Sequence, residues 1–386
     1  MGLSMLQRKP DSGLGNIRSS PADPSRNIDW VLLLAQLVLT VAGCFIVFSA
    51  TRTRTVDPYT FVTRQVIFAI VAAVVMVIVM VFDYEWWKQR ARTLYVLTVI
   101  ALFGMAVYSR ASGTTTLAVD VGPIQIQPAE FAKFVVLLAM CAYLSEERNP
   151  GEGVSYARFL GSLIIVGLPA VLIIVQPDLG TGSVLIAMTM GVLLVAGAKA
   201  RYIATISLMS VATVGAAYFA RLVNDYQLAR IRVFFDEDNP ALQKDVYQVD
   251  NAVKAVGTGG IFGKGWLHGP LTNGRDIPVI WADFPFAALG EQLGLVGCAA
   301  LLFTFVVVLV RIWRIAHLSR DMFGTYLCAG VFTMLLWQVF QNVGMTIKIM
   351  PVTVLPMPFI SYGGSSLITW FALFGLVQSV HMRRMR

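Results

Sequence analysis

Apolar runs long enough to cross a lipid bilayer recur along nearly the whole chain, and they constrain the fold more than any other feature. A helix needs roughly 17–25 apolar residues to cross the hydrocarbon core. Hydrophobic residues make up 57% of the chain, whereas charged residues make up only 13%. That charged content is about half of what a soluble domain carries. The sequence therefore predicts an all-α polytopic membrane protein.

Ten transmembrane helices are predicted, joined by short loops except for one long segment, 223–284, between spans 7 and 8. A loop of this length is usually functional or disordered. The predicted spans are 29–50, 61–82, 93–109, 129–144, 159–175, 180–198, 202–222, 285–310, 322–345 and 362–380.

The distribution of basic residues predicts the topology. With a cytoplasmic N-terminus, the inner segments hold seventeen Lys and Arg residues. The short outer loops, counted together with Arg64 at the start of the second span, hold five. Because Lys and Arg concentrate in cytoplasmic loops, both termini are predicted to be cytoplasmic and the long 223–284 loop extracytoplasmic. The net charge of +8 then reflects anchoring beside anionic lipid, and it does not indicate nucleic acid as a partner.

The regions outside the spans differ in character. Residues 1–27 are polar and predict a disordered cytoplasmic tail, which leaves 28–382 as the membrane domain and 383–386 as a basic cytoplasmic end. Two stretches of the long loop, "YQLARIRVFF" (226–235) and "DVYQVDNAVKAV" (245–256), combine helical apolar spacing with aromatic residues. They predict an ordered, partly amphipathic cap near the membrane interface.

The eighth predicted span carries two acids, Asp283 and Glu291. An ionisable residue within a membrane is costly and is by default a functional hypothesis. Asp283, at the outer mouth beside the long loop, is therefore the candidate for chemistry. Glu291 lies about 12 Å deeper on the same helix and fits a role in local structure. Small residues on the same stripe permit close helix approach or leave a groove; the stripe comprises Asp283, Phe286, Ala287, Gly290, Glu291 and Gly294.

Two further polar clusters begin predicted spans. In "QPAEFAK" (127–133), Pro128 suits a first helical turn, and Glu130 and Lys133 share one face. They predict either a local ion pair or a lysine positioned for a lipid-linked phosphate. In "PFISYGGSS" (358–366), glycines and serines offer backbone N–H groups and hydroxyls that suit an anion, although they also serve as plain helix caps.

The long loop contains the glycine-rich stretch "AVGTGGIFGKGW" (255–266) around Lys264. It lacks the Lys-Ser/Thr pair of a Walker phosphate loop, so a flexible lip over a groove is predicted instead of a nucleotide site. Four further basic residues of this loop suit either lipid phosphates or solvated surface: Arg230, Arg232, Lys244 and Lys254.

No metal site is predicted. The cysteines stand singly in apolar runs and are typical of small core residues, and the histidines are isolated. They are Cys44, Cys141, Cys298, Cys328, His268, His317 and His381.

Taken together, these segments resemble the SEDS family (shape, elongation, division and sporulation), and within it the RodA/FtsW branch. The resemblance covers about residues 28–382, in order, and its last motif is highly specific. The matching segments are "DWVLLLAQLVLTVAGCFIVFSA" (29–50), "RQ" (64–65), "QPAEFAK" (127–133), "QPDLGTG" (176–182), "YQLARI" (226–231), "YQVDNAVKAVGTGGIFGKG" (247–265), "DFPFAALGEQLGLVG" (283–297) and "NVGMTIKIMPVTVLPMPFISYGGSS" (342–366).

The resemblance implies a ten-span peptidoglycan glycosyltransferase that polymerises lipid II at the outer face of the cytoplasmic (inner) membrane, beside a class B penicillin-binding transpeptidase. By motif position Asp283 becomes the catalytic aspartate, expected to act as general base, with undecaprenyl diphosphate leaving and inversion at the sugar. The other expected site residues are Glu130, Lys133, Arg230, Lys264, Ser361, Gly363 and Ser365 for substrate binding, and Gln127, Gln176, Asp178 and Glu291 for support.

Several alternatives stay open from the sequence. The short tails favour work with the elongation machinery in cell shape, and a division-specific polymerase is the variant. A lipid II flippase or transporter, and a scaffold without chemistry of its own, are the other classes. No cofactor is required, and a divalent cation, Mg²⁺ or Mn²⁺, at the diphosphate is left open. Pro285 and Gln292 stand where the family usually has an aliphatic residue and a second acid.

Overall fold

The computed structural model describes residues 27–112, 118–121, 124–146, 153–176, 178–219, 234, 243–274, 276–353 and 355–385. The predicted tail, residues 1–27, lies outside these ranges except for its last residue. The described elements are α1 Trp30–Thr51, α2 Thr60–Val81, α3 Tyr84–Ser112, β1 Val119–Val121, β2 Ile124–Ile126, α4 Pro128–Ser145, α5 Tyr156–Val175, α6 Leu179–Val195, α7 Ala200–Phe219, α8 Gln243–Gly259, α9 Pro270–Asn273, α10 Pro285–His317, α11 Met322–Thr346 and α12 Gly364–Met382.

Each predicted span coincides with a helix, namely α1 to α7 and α10 to α12. Within the described residues, eight of these helices are long and apolar enough to cross a bilayer. The two others are α6, which has only 17 residues, and α7. The polytopic helical class is therefore confirmed, whereas the number of ten spans stays a prediction.

The last helix, α12, lies at the centre of the bundle, and α2 lies at its edge. Trp370 and Phe374 of α12 are completely buried, and the backbone of Gly375 approaches Met76 of α2 closely. The opposite face of α2 exposes residues such as Ile70. An apolar face of this kind is stable against lipid, while a helix that is buried all round belongs to the core.

One end of the bundle, the Asp29 end, is joined by a buried polar network. The Asp29 carboxylate caps α1 by accepting from the backbone N–H of Leu32 at 3.0 Å, and it accepts from both Nε and Nη2 of Arg311 at the end of α10. Gln378 of α12 bonds the backbone N–H and C=O of Asp29 at 3.1 and 2.9 Å. The start of α1 and the end of α12 thus lie together, as an even number of spans requires. Which end faces the cytoplasm stays a prediction.

Two local structures were not expected from the sequence. Strands β1 and β2 form an antiparallel hairpin with Val119 opposite Ile126, in a segment predicted as a loop. In addition, α10 bends sharply at Gly294, whose φ of 65° and ψ of −159° are not helical. The predicted single helical stripe through Gly294 was therefore wrong. Glu291 belongs to a short buried helical segment that starts at Pro285, and the long apolar segment follows the bend.

The glycine-rich stretch of the long loop packs into this bend instead of forming a flexible lip. The backbone N–H groups of Leu295 and Val296 donate to the carbonyls of Gly260 and Ile261 at 2.9 and 3.1 Å. In return, the N–H groups of Lys264 and Gly265 donate to the carbonyls of Glu291 and Gln292. The bend frees these carbonyl and N–H groups from the helix, and the loop satisfies their hydrogen bonds.

Of the two stretches predicted to form a cap near the membrane, 245–256 is helical as part of α8. The other, 226–235, lies outside the described residues apart from Phe234.

Gly294→Ala is expected to destabilise the protein strongly. The φ/ψ values of Gly294 lie in a region that is essentially restricted to glycine, where another residue costs about 1–3 kcal/mol, and a Cβ would also collide with the backbone N of Gly263. Gly257→Ala is the matched control, since a Cβ there meets nothing within 4 Å in a helix that favours alanine. Thermal unfolding in detergent should show a clear loss for the first variant only. Equal melting temperatures for both would contradict the description of the bend.

Candidate functional site

Asp283 lies just before α10, and its backbone is held by a turn of its own segment and by α11. Its N–H donates to the carbonyl of Val279 at 3.1 Å, and its side chain is only 8% exposed. Asn342 of α11 donates from Nδ2 both to the Asp283 carbonyl at 3.0 Å and to the Leu355 carbonyl at 2.9 Å. The acid is therefore fixed at the mouth of α10, as predicted, but outside the helix.

Glu130 and Lys133 form a buried ion pair at the start of α4. The distance from Lys133 Nζ to Glu130 Oε2 is 2.7 Å, and the two side chains are 0% and 2% exposed. Neither of these two atoms has a hydrogen-bond partner with proper geometry among the described residues. The predicted local ion pair is present. Buried charged groups are normally fully hydrogen-bonded, so a lysine whose ammonium group is left with donors that no described residue accepts is unusual.

The N-termini of three helices meet at Gln127. The backbone N–H of Gln127, which precedes α4, donates to Ser365 Oγ in the first turn of α12 at 3.1 Å, and that hydroxyl donates to the carbonyl of Gln125 in β2 at 3.0 Å. Gln127 Nε2 donates to Asp178 Oδ2, at the start of α6, at 3.2 Å. Helix N-termini carry partial positive charge and free N–H groups. Together with Lys133 they make this cluster attractive to an anion.

Asp178 stabilises the start of α6 and contributes a carboxyl to the cluster. Its Oδ1 accepts from the backbone N–H of Thr181 at 2.9 Å. Burial raises the pKa of the Asp178 carboxyl above its ordinary value, while the bonds from Thr181 oppose that shift. The nearby Glu130 carboxylate raises the same pKa and the Lys133 ammonium lowers it. Asp178 therefore belongs to one electrostatic unit with the buried pair.

The loop 350–363, which connects α11 and α12, joins Asp283 to this cluster. The backbone N–H of Tyr362 donates to the carbonyl of Trp281 at 3.0 Å, two residues before Asp283. On the other side, the Leu355 side chain packs against Gly180 in the first turn of α6, where any Cβ would overlap it. Asp283 and the three helix N-termini thus lie at the same end of the bundle, the Asp283 end, opposite to the Asp29 end.

Two of the predicted residues support this loop. Ser361 Oγ accepts from the backbone N–H of Met357 at 2.8 Å, and its carbonyl accepts from Gln65 Nε2 at 3.2 Å. Gly363 precedes α12 with extended backbone, at a φ of 170°. Both residues belong to the loop that leads from α11 into the first turn of α12, where Ser365 lies.

Glu291 and Lys264 form a separate cluster near the bend of α10. Lys264 Nζ contacts Glu291 Oε1 at 3.1 Å and donates to Thr258 Oγ1 at 2.8 Å. Glu291 is fully buried, and it also accepts from the N–H groups of Leu271 and Thr272 at 3.1 and 2.7 Å. The sequence interpretation of Glu291 as a structural acid fits these contacts. Lys264, predicted to bind substrate, uses its ammonium group to anchor the loop.

The remaining site predictions are only partly described. Gln176 is buried and donates from Nε2 to the carbonyl of Leu102 at 2.7 Å, so it ties α5 to α3. Arg230 lies outside the described residues. Sequence reasoning missed Asn342 and gave Gln65 no role. An amide side chain within an apolar span is the signal that marks both, because such a group must find partners inside the protein.

The described residues do not form a metal site. No group of three or more His, Cys, Asp or Glu side chains could hold a metal ion in the part of the chain that the structure describes. Glu130 and Asp178 supply two carboxyl groups, and Lys133 competes for one of them. A divalent cation, Mg²⁺ or Mn²⁺, at the diphosphate stays an open prediction.

The fold and the site define a polytopic helical membrane protein with a charged cluster, suited to an anion, at one end of its bundle. The chain belongs to the cell cycle protein family of FtsW, RodA and SpoVE, whose family model matches residues 29–386. The peptidoglycan glycosyltransferase MrdB of Escherichia coli K12 is 32% identical over 359 residues, which cover 93% of this chain and 94% of that protein. Stage V sporulation protein E of Bacillus subtilis is 31% identical, covering 91% of this chain and 96% of that protein.

Solved structures share the fold. A chain from the structure described as "Structural coordination of polymerization and crosslinking by a peptidoglycan synthase complex" has a TM-score of 0.72 at 24% identity and covers 93% of this chain and 99% of its own length. The crystal structure of the rod shape determining protein RodA of Thermus thermophilus has a TM-score of 0.64 at 24% identity, covering 93% of this chain and 98% of that one. The SEDS resemblance is therefore confirmed.

Proposed function

We propose that this protein is a peptidoglycan glycosyltransferase that polymerises lipid II into glycan strands at the outer face of the cytoplasmic membrane. The observation that supports the proposal most directly is the joint position of Asp283 and the Lys133 cluster at one end of the bundle, both attached to the loop 350–363. The relatives named peptidoglycan glycosyltransferase support the same class of reaction.

Asp283 acts as the general base in this proposal. Its carboxylate takes the proton from a sugar hydroxyl of the acceptor as that oxygen attacks the anomeric carbon of the donor. General base catalysis of this kind contributes about 10²–10⁴-fold to a rate. The hydrogen bond from Asn342 holds the backbone of Asp283 in place, so the carboxylate does not have to be reorganised during the reaction.

The Lys133 cluster stabilises the leaving group. The bond from the anomeric carbon to the diphosphate oxygen breaks, and undecaprenyl diphosphate leaves with the electron pair. Lys133 and the N-termini of α4, α6 and α12 face the developing negative charge. Of the expected backbone donors at 361–365, those of Ser361 and Tyr362 already donate to the carbonyls of Met357 and Trp281, so the first turn of α12 supplies the others. Arg230 is the second candidate for this role. Attack from the side opposite to an α-linked diphosphate gives a β-linked glycan, that is, inversion.

A class B penicillin-binding transpeptidase is the proposed partner, in cell elongation and shape. The complex with the shared fold supports such a partner by its description, and a division role is the alternative. We expect the partner to dock on the extracytoplasmic loop and on membrane-facing spans. Crosslinks from those surfaces would support this placement, whereas crosslinks confined to the cytoplasmic side would contradict it.

Purified protein in detergent, supplied with lipid II, tests the proposed activity. Glycan polymer, separated by gel electrophoresis, is the expected product. The rival function is a lipid II flippase, and vesicles that carry the protein and a labelled lipid II separate the two. No polymer even with the transpeptidase partner, together with lipid movement across the vesicle membrane, would favour transport. Polymerisation is favoured because Asp283, Gln127, Asp178 and Ser365 lie at or next to helix N-termini at one end of the bundle.

A further inference from the structure

A groove of about 610 Å³ opens between the first turns of α5 and α7. Its walls are apolar and include Leu160, Ile164 and Met209, and its floor is formed by the stacked rings of Phe159 and Tyr202, whose centroids are 4.4 Å apart. Because α5 ends next to Gln176 near the candidate site, a groove along its first turns lies toward the opposite, Asp29 end of the bundle. It is therefore distinct from the proposed glycosyltransferase site.

The rim of the groove at the helix ends is basic. The exposed Arg201 lines the groove, with its guanidinium 5.1 Å from the centroid of the Tyr202 ring, and the exposed Lys199 precedes it. No acid occurs in α5 and its flanking residues (153–176) or around the first half of α7 (198–209). The Arg201 guanidinium is oriented by the ring and its charge is not matched by an acid on either of these helices.

The dimensions of the groove suit an acyl chain. From Arg201 to Met209, α7 rises about 12 Å at 1.5 Å per residue, which is most of one leaflet of a core about 30 Å thick. A volume between about 300 and 1,000 Å³ is typical of ligand sites. A ligand that fits would be apolar along its length and anionic at the end that meets Arg201.

We propose that this groove binds an anionic phospholipid, with an acyl chain along Leu160, Ile164 and Met209 and its phosphate at Arg201. Aromatic rings beside a basic side chain at the membrane surface are the usual environment of a lipid headgroup. The net charge of the headgroup determines which lipid binds. A zwitterionic headgroup gains little from Arg201, because its own cation compensates the phosphate.

The test is photolabelling of the purified full chain with phosphatidylglycerol that carries a diazirine on one acyl chain. Labelled peptides are expected from α5 and the start of α7, and excess phosphatidylglycerol should compete better than phosphatidylcholine. Arg201→Gln should lower labelling about five-fold, from the roughly 1 kcal/mol that one basic residue contributes near an anionic surface. Leu160→Trp, which fills the groove, should lower it as well.

Arg90→Gln is the matched control. Arg90 also stacks on an aromatic ring, 3.8 Å from the centroid of Trp86, at the start of α3, yet it does not line the groove. Its loss should leave labelling unchanged while both arginine variants keep their melting temperatures. Equal competition by the two lipids, labels only on other helices, or equal losses for Arg90→Gln and Arg201→Gln would overturn the proposal. If a helix of the transpeptidase partner fills the groove, the complex of the two proteins should give no labelled peptides from α5 and α7, and that result would contradict lipid binding.

Discussion

Asp283→Asn is expected to lower the rate of glycan polymerisation by at least about 100-fold. Asparagine keeps the size of the side chain and one acceptor oxygen, but it cannot accept the proton of the attacking hydroxyl, so the full contribution of general base catalysis, about 10²–10⁴-fold, is lost. The bond from the Asp283 N–H to the Val279 carbonyl and the bond from Asn342 to the Asp283 carbonyl do not involve the Asp283 side chain and should persist. The initial rate of polymer formation from lipid II measures the effect.

The control for this variant is Asp276→Asn. Asp276 lies in the same segment before α10, and its Oδ1 accepts from the Tyr247 hydroxyl at 3.0 Å, a bond that an asparagine oxygen can also accept. We expect polymerisation within about two-fold of wild type for Asp276→Asn, as for most surface substitutions. Polymerisation at the wild-type rate by a correctly folded Asp283→Asn protein would exclude Asp283 as the base.

Removing one member of the buried pair is expected to have the largest effect on stability. Glu130→Gln and Lys133→Met should each lower the free energy of unfolding by about 3–5 kcal/mol, because each leaves an uncompensated charge in a site with almost no solvent contact. Unfolding by a denaturing detergent, followed by circular dichroism, measures this change. Arg320→Gln is the control, since it breaks a pair whose side chains are 41% and 47% exposed and should change stability by about 0–1 kcal/mol.

The double variant Glu130→Gln/Lys133→Met separates structure from catalysis. Neutral residues of similar volume are well tolerated in place of a buried ion pair, so stability should return to near the wild-type value. Polymerisation should stay low, because no ammonium group remains to meet the leaving diphosphate. Recovery of polymerisation together with stability would show that the pair is only structural, and Asp283 would then have to act without Lys133.

The helices of this protein were largely predictable because a bilayer demands long apolar runs, and those runs are visible residue by residue. Helix α3 differs most, since it begins at Tyr84, nine residues before the predicted span. Those residues include Trp86 and Trp87, which pack on Phe82 and on each other and extend the helix through the polar boundary. The bend at Gly294 was not predictable, because its cause is the glycine-rich loop, thirty residues away, that binds the opened backbone.

In the candidate site, too, some residues could be predicted from local sequence, whereas others depend on contacts between distant segments. Asp283, Glu130 and Lys133 could be chosen from the sequence because a charge in an apolar span needs a reason. The contact of Lys264 could not be predicted, because the sequence does not show that Glu291 lies within reach of its ammonium group. No role for Asn342 could be predicted, for a related reason. Its side chain donates to the carbonyls of Asp283 and Leu355, which are far apart in the chain.

The sequence by itself determined the class of the protein, the approximate course of its membrane helices and the identity of several buried charges, among them Glu130, Lys133 and Glu291, since each follows from local hydropathy and local spacing. Only the tertiary structure decided which helix ends meet. The convergence of α4, α6 and α12 depends on hydrogen bonds between Gln127, Asp178 and Ser365, residues up to 238 positions apart. Contacts over such separations arise from the packing of whole helices, which no local pattern contains.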